Sequence, residues 1–143
     1  MRLHTTTSDC PRQSHHSRTV ESKQSGPITE NEVEYAVVHF LRARGWIVER
    51  NQVGLLYTAD GRPCPVGRKG QCDWRAMRPL PGAPGKAYYF EVELKRPGAK
   101  PTQVQREYMA LRKHQGMAVT WADSLEAFAA WYGETFGVAE ESL

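Results

Sequence analysis

Apolar and polar residues alternate most strictly along Tyr88-Tyr89-Phe90-Glu91-Val92-Glu93-Leu94-Lys95. A strand there sends Tyr88, Phe90, Val92 and Leu94 to one face and Tyr89, Glu91, Glu93 and Lys95 to the other. One face packs; the other presents two carboxylates and an amine. Similar runs predict strands over 46–51, 73–77 and 117–121, and a short extra strand at 55–58 that ends at the Ala59-Asp60-Gly61 turn. Most of 52–69 reads as turns, with Gly54, Pro63, Pro65 and Gly67 as breakers, and Pro79 to Gly85 reads as a loop.

Three stretches carry helical spacing instead. Thr29 and Glu32 form a capping box ahead of the stripe Val33, Ala36, Val37, Phe40 and Leu41, and the helix runs to about Arg44 before Gly45. Thr102 and Gln105 open a second helix with Val104, Tyr108 and Leu111 as its apolar stripe and Gly116 at its end. Asp123 with Glu126 is expected to cap a third, whose stripe is Leu125, Phe128, Ala129 and Tyr132. The order helix, three or four strands, helix, strand, helix predicts an α/β fold, one central mixed sheet flanked by helices.

At 143 residues the chain is one domain's worth. Residues 1–27 have no hydrophobic period and read as a disordered polar tail, 28–133 as the domain, and 134–143 as an acidic tail that frays. No run approaches the roughly 18 apolar residues of a membrane span. Ser, Thr, Arg and His are frequent between Arg2 and Arg18, as in transit peptides, but Asp9 and Glu21 count against one. A cytoplasmic protein without membrane contact is the expectation. Three cysteines, Cys10, Cys64 and Cys72, share no metal-type spacing and do not make a disulfide framework. Cys10, His15 and His16 are loose ligands in a polar tail and are not read as a metal site. The net charge of +3 does not announce a nucleic-acid binder. It hides a local surplus: Lys95, Arg96, Lys100, Arg106, Arg112 and Lys113 are opposed between Lys95 and Lys113 only by Glu107. A solvated helix face explains part of that surplus; phosphate binding explains it better.

Five residues fit plain packing or solvation least well: Glu34, Asp73, Glu93, Lys95 and Gln105. The Glu/Lys face of the 88–95 strand could be a solvated edge. Asp73, however, opens a neighbouring strand and can lie beside Glu93. Two carboxylates with no His or Cys placed to join them suit Mg²⁺ or Mn²⁺ rather than zinc. Such an ion acidifies a bound water and offsets charge on a phosphorane, and Lys95, on the face of Glu93, is placed to hold or help deprotonate that water. Glu34 lies at the rim of the first helix's stripe and can reach along the sheet.

Asp73 followed by Glu93-Leu94-Lys95 resembles the Asp…Glu-x-Lys core of the PD-(D/E)XK nuclease superfamily, and further details resemble its VRR-NUC branch. Those details are Glu34 on a first helix ending near Gly45, Arg50-Asn51-Gln52-Val53-Gly54, Gly70-Gln71-Cys72-Asp73, Lys95-Arg96-Pro97-Gly98, and Thr102-Gln103-Val104-Gln105 opening a helix. The resemblance spans about residues 29–132. It implies a restriction-endonuclease-like core and metal-dependent cleavage of phosphodiester bonds in DNA. It implies Asp73, Glu93 and the backbone carbonyl of Leu94 as ligands of Mg²⁺ or Mn²⁺, and Lys95 as the catalytic lysine. Glu34 would act through water or on a second metal, and Gln105 would support the site. A homodimer acting on branched DNA, as Holliday-junction resolvases do, is implied as well.

Two departures bear on the site. Glu91 adds a charge to the active face, as an extra ligand or a surface group, and no proline precedes Asp73. Glu30 and Glu32 lie close enough to Glu34 to replace it. Arg50, Arg75, Arg96, Lys100 and Arg106 are the candidate nucleic-acid contacts, reading shape and charge rather than bases. The alternative to an enzyme is a non-catalytic binder of branched or damaged DNA on the same fold.

Overall fold

The capping box foreseen at Thr29 forms: its main-chain N–H donates to Glu32 Oε2 at 2.7 Å, and the Glu32 N–H donates back to Thr29 Oγ1 at 3.3 Å. It starts helix α1 (Glu30–Arg42) in a computed structural model that describes residues 26–137. Most of the expected N-terminal tail, with Cys10, His15 and His16, and the last six residues of the chain lie outside the described residues. The chain continues through β1 (Ile47–Arg50), β2 (Gly54–Tyr57), β3 (Pro63–Val66), β4 (Trp74–Pro79), β5 (Ala87–Leu94), α2 (Gln103–His114), β6 (Ala118–Ala122) and α3 (Leu125–Phe136). Among the described residues no helix is long and apolar enough to cross a membrane.

The fold is mixed α/β. Four strands form one sheet in the order β1-β4-β5-β6, antiparallel up to β5 and parallel between β5 and β6, whose crossover is α2. Helices α1 and α3 cover one face. Their Val33, Val37, Leu41, Phe128 and Tyr132 pack with Phe90, Val92 and Leu94 of β5. Trp46 is buried among these aromatic rings and donates from Nε1 to Tyr132 Oη at 2.9 Å, which satisfies both polar tips inside the core. On the opposite face Tyr108 and Met109 of α2 pack with Val119 and Cys72.

That second layer corrects the expectation of a strand with one open face. Phe90 to Leu94 are all buried, because β5 is central and α2 lies over the Glu side. The stripe of α2 also differs from the expected one. Tyr108 is buried as foreseen, Met109 joins it, and Val104 stays 37% exposed while its main chain packs against the loop before β4. Ser124, not Asp123, caps α3 by accepting from Ala127 N at 3.1 Å. Asp123 instead accepts from Gly98 N at 2.9 Å, tying the turn after β5 to the start of α3. Helix α3 runs into the stretch expected to fray, because Phe136 stacks against Trp46 and Tyr132.

Strand β3 was not expected, since prolines break ladders. Here Thr58 N donates to Arg62 O at 2.9 Å, which places the hydrogen-bonded pairs of the β2–β3 hairpin at even-numbered residues. Pro63 and Pro65 share the other parity, so their missing N–H groups fall on the outer edge, where a strand tolerates proline.

Candidate active site

Asp73 is the residue before β4, and its carbonyl accepts from Asn51 N at 2.7 Å. Asn51 Nδ2 also donates to Cys72 O at 2.9 Å, so the end of β1 clamps the backbone that carries Asp73. Cys72 is fully buried, and burial together with the neighbouring Glu93 pushes its thiol well above the usual range, leaving it a neutral packing residue.

Glu93 is 0% exposed, and a carboxylate buried alone would cost several kcal/mol or take up a proton. Three donors converge on it instead. Lys95 Nζ lies 2.6 Å from its Oε1, Gln105 Nε2 donates to the same oxygen at 2.7 Å, and Asp73 N donates to Oε2 at 3.2 Å. Gln105 does two things at once. Its Oε1 accepts from Thr102 N at 2.9 Å to close the capping box of α2, and its Nε2 reaches Glu93. A glutamate at this position would close the box equally well but would set a second carboxylate against Glu93.

Burial raises both the Asp73 and the Glu93 carboxyls above the usual range, with Lys95 the main opposing influence on each. Burial by itself would lower the Lys95 ammonium; the hydrogen bond and charge of Glu93 outweigh it and hold the amine above its ordinary value. Lys95 is therefore a cation at neutral pH, directed by Glu93.

The helix carboxylates complete the picture. Glu34 is buried, its Oε2 paired with Arg50 at 2.7 Å and its Oε1 accepting from Trp74 Nε1 at 3.1 Å. The Arg50 guanidinium also stands over the Trp74 ring, 4.6 Å from its centroid. Glu30, Glu34 and Asp73 each offer an oxygen within 4.8 Å of the others. Glu30 was weighed only as a substitute for Glu34; both are present, because positions four apart on a helix share a face. Glu32, the other substitute, is held in the capping box instead.

Glu30, Glu34 and Asp73 offer oxygens, the donor type a hard divalent ion takes, with both Glu34 oxygens already engaged by Arg50 and Trp74; Glu93, whose Oε2 accepts one hydrogen bond from Asp73 N, is not one of that group. The side chain of Leu94 is buried in the core.

Glu91 is placed away from Asp73. It is 3% exposed and accepts from Tyr89 Oη at 2.8 Å, Tyr108 Oη at 2.6 Å and Gln71 Nε2 at 3.5 Å. Of the two readings open for it, surface group or extra ligand, its burial excludes the first; for the second, it stands outside the group Glu30, Glu34 and Asp73 and is held by two phenols.

The candidate nucleic-acid contacts divide. Arg50 borders the same cleft as Asp73. Arg75 is engaged across the strands with Glu49 at 2.7 Å, and Arg106 donates to Pro101 O at 2.6 Å. Arg96 and Lys100 are exposed on the turn after β5. Comparison with models of known families, with curated proteins and with solved structures found no match to this chain.

Proposed function

We propose that this chain is a metal-dependent endonuclease that hydrolyses phosphodiester bonds in DNA, built on a core of the PD-(D/E)XK kind and closest in character to its VRR-NUC branch. The observation that carries this reading is the buried Glu93, which binds Lys95, Gln105 and the Asp73 main chain together. Glu91, buried on the same strand face, is held by neutral donors, whereas Glu93 brings the Lys95 cation beside a second carboxylate, Asp73.

Asp73 and Glu93 would hold Mg²⁺ or Mn²⁺, Glu30 and Glu34 offer further oxygens near Asp73, and the ion would supply Lewis acidity at the phosphate. Lys95, held by Glu93 beside Asp73, would hold the attacking water and offset negative charge that builds on the phosphorane. Gln105 keeps Glu93 in place, and Asn51 keeps Asp73 in place. Arg50 keeps Glu34 oriented and leaves further guanidinium donors for a phosphate. Branched DNA as substrate and a homodimer as the working form extend the same proposal, since a two-fold pair of sites cuts a junction symmetrically.

The test is cleavage of a four-way junction, a flap and plain duplex with Mg²⁺, Mn²⁺ or EDTA. Cutting is expected with metal only, preferring the junction, and falling by about 10²–10³-fold or more in Asp73→Ala and Lys95→Ala, the loss typical of a removed transition-state contact. Cutting that persists unchanged in both folded variants would refute the site. Gel-shift binding without cutting would establish the non-catalytic binder instead, and a strictly monomeric protein in sedimentation would exclude the resolvase form.

A further inference from the structure

The β2–β3 hairpin carries a sequence that plain surface does not explain. Its strands pair only with each other, and every residue from Gln52 to Pro65 is exposed. Neither strand bears a charge. Leu55, Leu56 and Tyr57 stand 51%, 57% and 68% exposed beside Val53, Pro63 and Pro65, while Asp60 and Arg62 pair with each other in the turn at 2.7 Å. Two strands alone are marginal in water, and natural edges are usually blunted with charge. Leu55 and Tyr57 share one face of the ribbon with Pro63 and Pro65, and Leu56 lies on the other with Cys64, so both faces expose apolar side chains, as binding surfaces do.

Its root shows what it faces. Asn51, one residue beyond β1, is bonded to the Asp73 and Cys72 carbonyls, and the two legs run so close that a Cβ at Gly67 would collide with the Gln52 carbonyl. The arm is thus anchored on the backbone that carries Asp73. At the root of the arm lies a cleft of about 380 Å³ whose apolar lining is Val53, Leu55, Leu56 and Val66 and whose polar lining is Arg50, Asn51, Gln52 and Asp73. An apolar wall beside a guanidinium and a candidate metal ligand is complementary to a ligand with a flat apolar part joined to a phosphate. A nucleotide whose base has left the stack has that form, its base offering a flat face that aliphatic side chains can cover. Intact duplex hides those faces; strand ends, branches and unpaired nucleotides expose them.

We propose that the hairpin is the subsite for an unstacked nucleotide of DNA next to the phosphate handled at Asp73, so that the chain selects DNA containing unpaired nucleotides over intact duplex. This rests on the nuclease reading above. The test uses the full chain with Ca²⁺ in place of the cleaving metal. DNA junctions with unpaired nucleotides, and matched duplex, carry 2-aminopurine beside the scissile position. Wild type is expected to raise the fluorescence on the junction. Leu55→Ser/Leu56→Ser, checked for an unchanged melting temperature, should lose that rise and bind the junction about tenfold more weakly, the ratio that about 1.4 kcal/mol represents. Leu56→Trp, which widens the apolar wall, should bind it more tightly.

Equal fluorescence and equal affinity in wild type and both variants, with Asp73-dependent cleavage intact, would overturn the subsite and leave the nuclease standing. Loss of dimer in the serine variant with the fluorescence rise retained would overturn it in favour of contact with a second copy. Absence of both DNA binding and cleavage in wild type would overturn the two readings together.

Discussion

Replacing Gln105 tests whether one side chain joins the architecture of α2 to the candidate site. Gln105→Ala removes the donor at 2.7 Å from buried Glu93, a hydrogen bond to a charged group worth about 1.5–3 kcal/mol. It also removes the reciprocal cap on Thr102 N, worth about 1 kcal/mol. The expected loss is about 2–4 kcal/mol in urea unfolding with EDTA present, at unchanged slope. Gln105→Glu separates the two parts, because it keeps the cap and sets a carboxylate oxygen against Glu93. At an effective dielectric of about 20 two charges that close repel by about 6 kcal/mol, so the pair takes up a proton instead. The folded variant then binds that proton more tightly than the unfolded chain does. Its extra stability is present at acid pH and lost as pH rises through the pair's raised pKa. Gln105→Glu should therefore be clearly less stable than wild type at pH 7 and recover at pH 5. A Gln105→Glu protein within about 0.5 kcal/mol of wild type at pH 7, with the same pH slope, would refute the bridging role.

Gly70 has φ +81°, and a Cβ there would meet Val104 O at 2.5 Å and Val104 Cγ1 at 2.8 Å. Gly70→Ala should cost about 2–4 kcal/mol in urea unfolding, combining backbone strain with overpacking, against about 1–2 kcal/mol for Gly82→Ala, where φ is +69° and the space is open; equal costs would contradict the close approach. Burial, reinforced by the hydrogen bond to Glu91, pushes the Tyr108 phenol up to about 12. Its folded pKa lies above the unfolded value, so the stability it lends is complete below about pH 10 and lost as pH climbs through about 12. Phenolate absorbance should show late ionisation from Tyr108 and from Tyr89, whose phenol burial and Glu91 also raise, so Tyr108→Phe should lose part of the late signal and Tyr108→Phe/Tyr89→Phe all of it; a single ordinary titration of all tyrosines in the folded protein would contradict it. Phe128 is fully buried, edge-on to Phe40 at 5.9 Å, so Phe128→Ala should cost about 3–5 kcal/mol by calorimetry or urea; a cost under about 1 kcal/mol would mean that α3 does not pack on this face of the sheet.

Local features were legible wherever the cause was local. The boxes at Thr29–Glu32 and Thr102–Gln105 appear where the spacing placed them, because both partners lie within one turn of chain. The alternation along β5 likewise set Phe90, Val92 and Leu94 on one face and Glu91 and Glu93 on the other. Asp123 misled because the capping pattern cannot tell it from its neighbour Ser124. The choice was made by Gly98, twenty-five positions away, which takes the Asp123 carboxylate. Strand β3 was hidden for a related reason: the two prolines are acceptable only once the parity of the hairpin is known.

Periodicity and capping act over a few residues, so the pattern along the chain placed every element except β3, with β5 at the centre and its residue types. Which carboxylate does what was settled by packing. Packing α2 over the Glu side of β5 gave Glu91 to two phenols and Glu93 to Lys95, Gln105 and Asp73, although two positions on the same strand face look alike in sequence. Bringing α1 over β4 set Glu30 and Glu34 beside Asp73. The physical reason is burial: a carboxylate in solvent can be left alone, whereas one under a helix must find donors, and those donors come from chain far away.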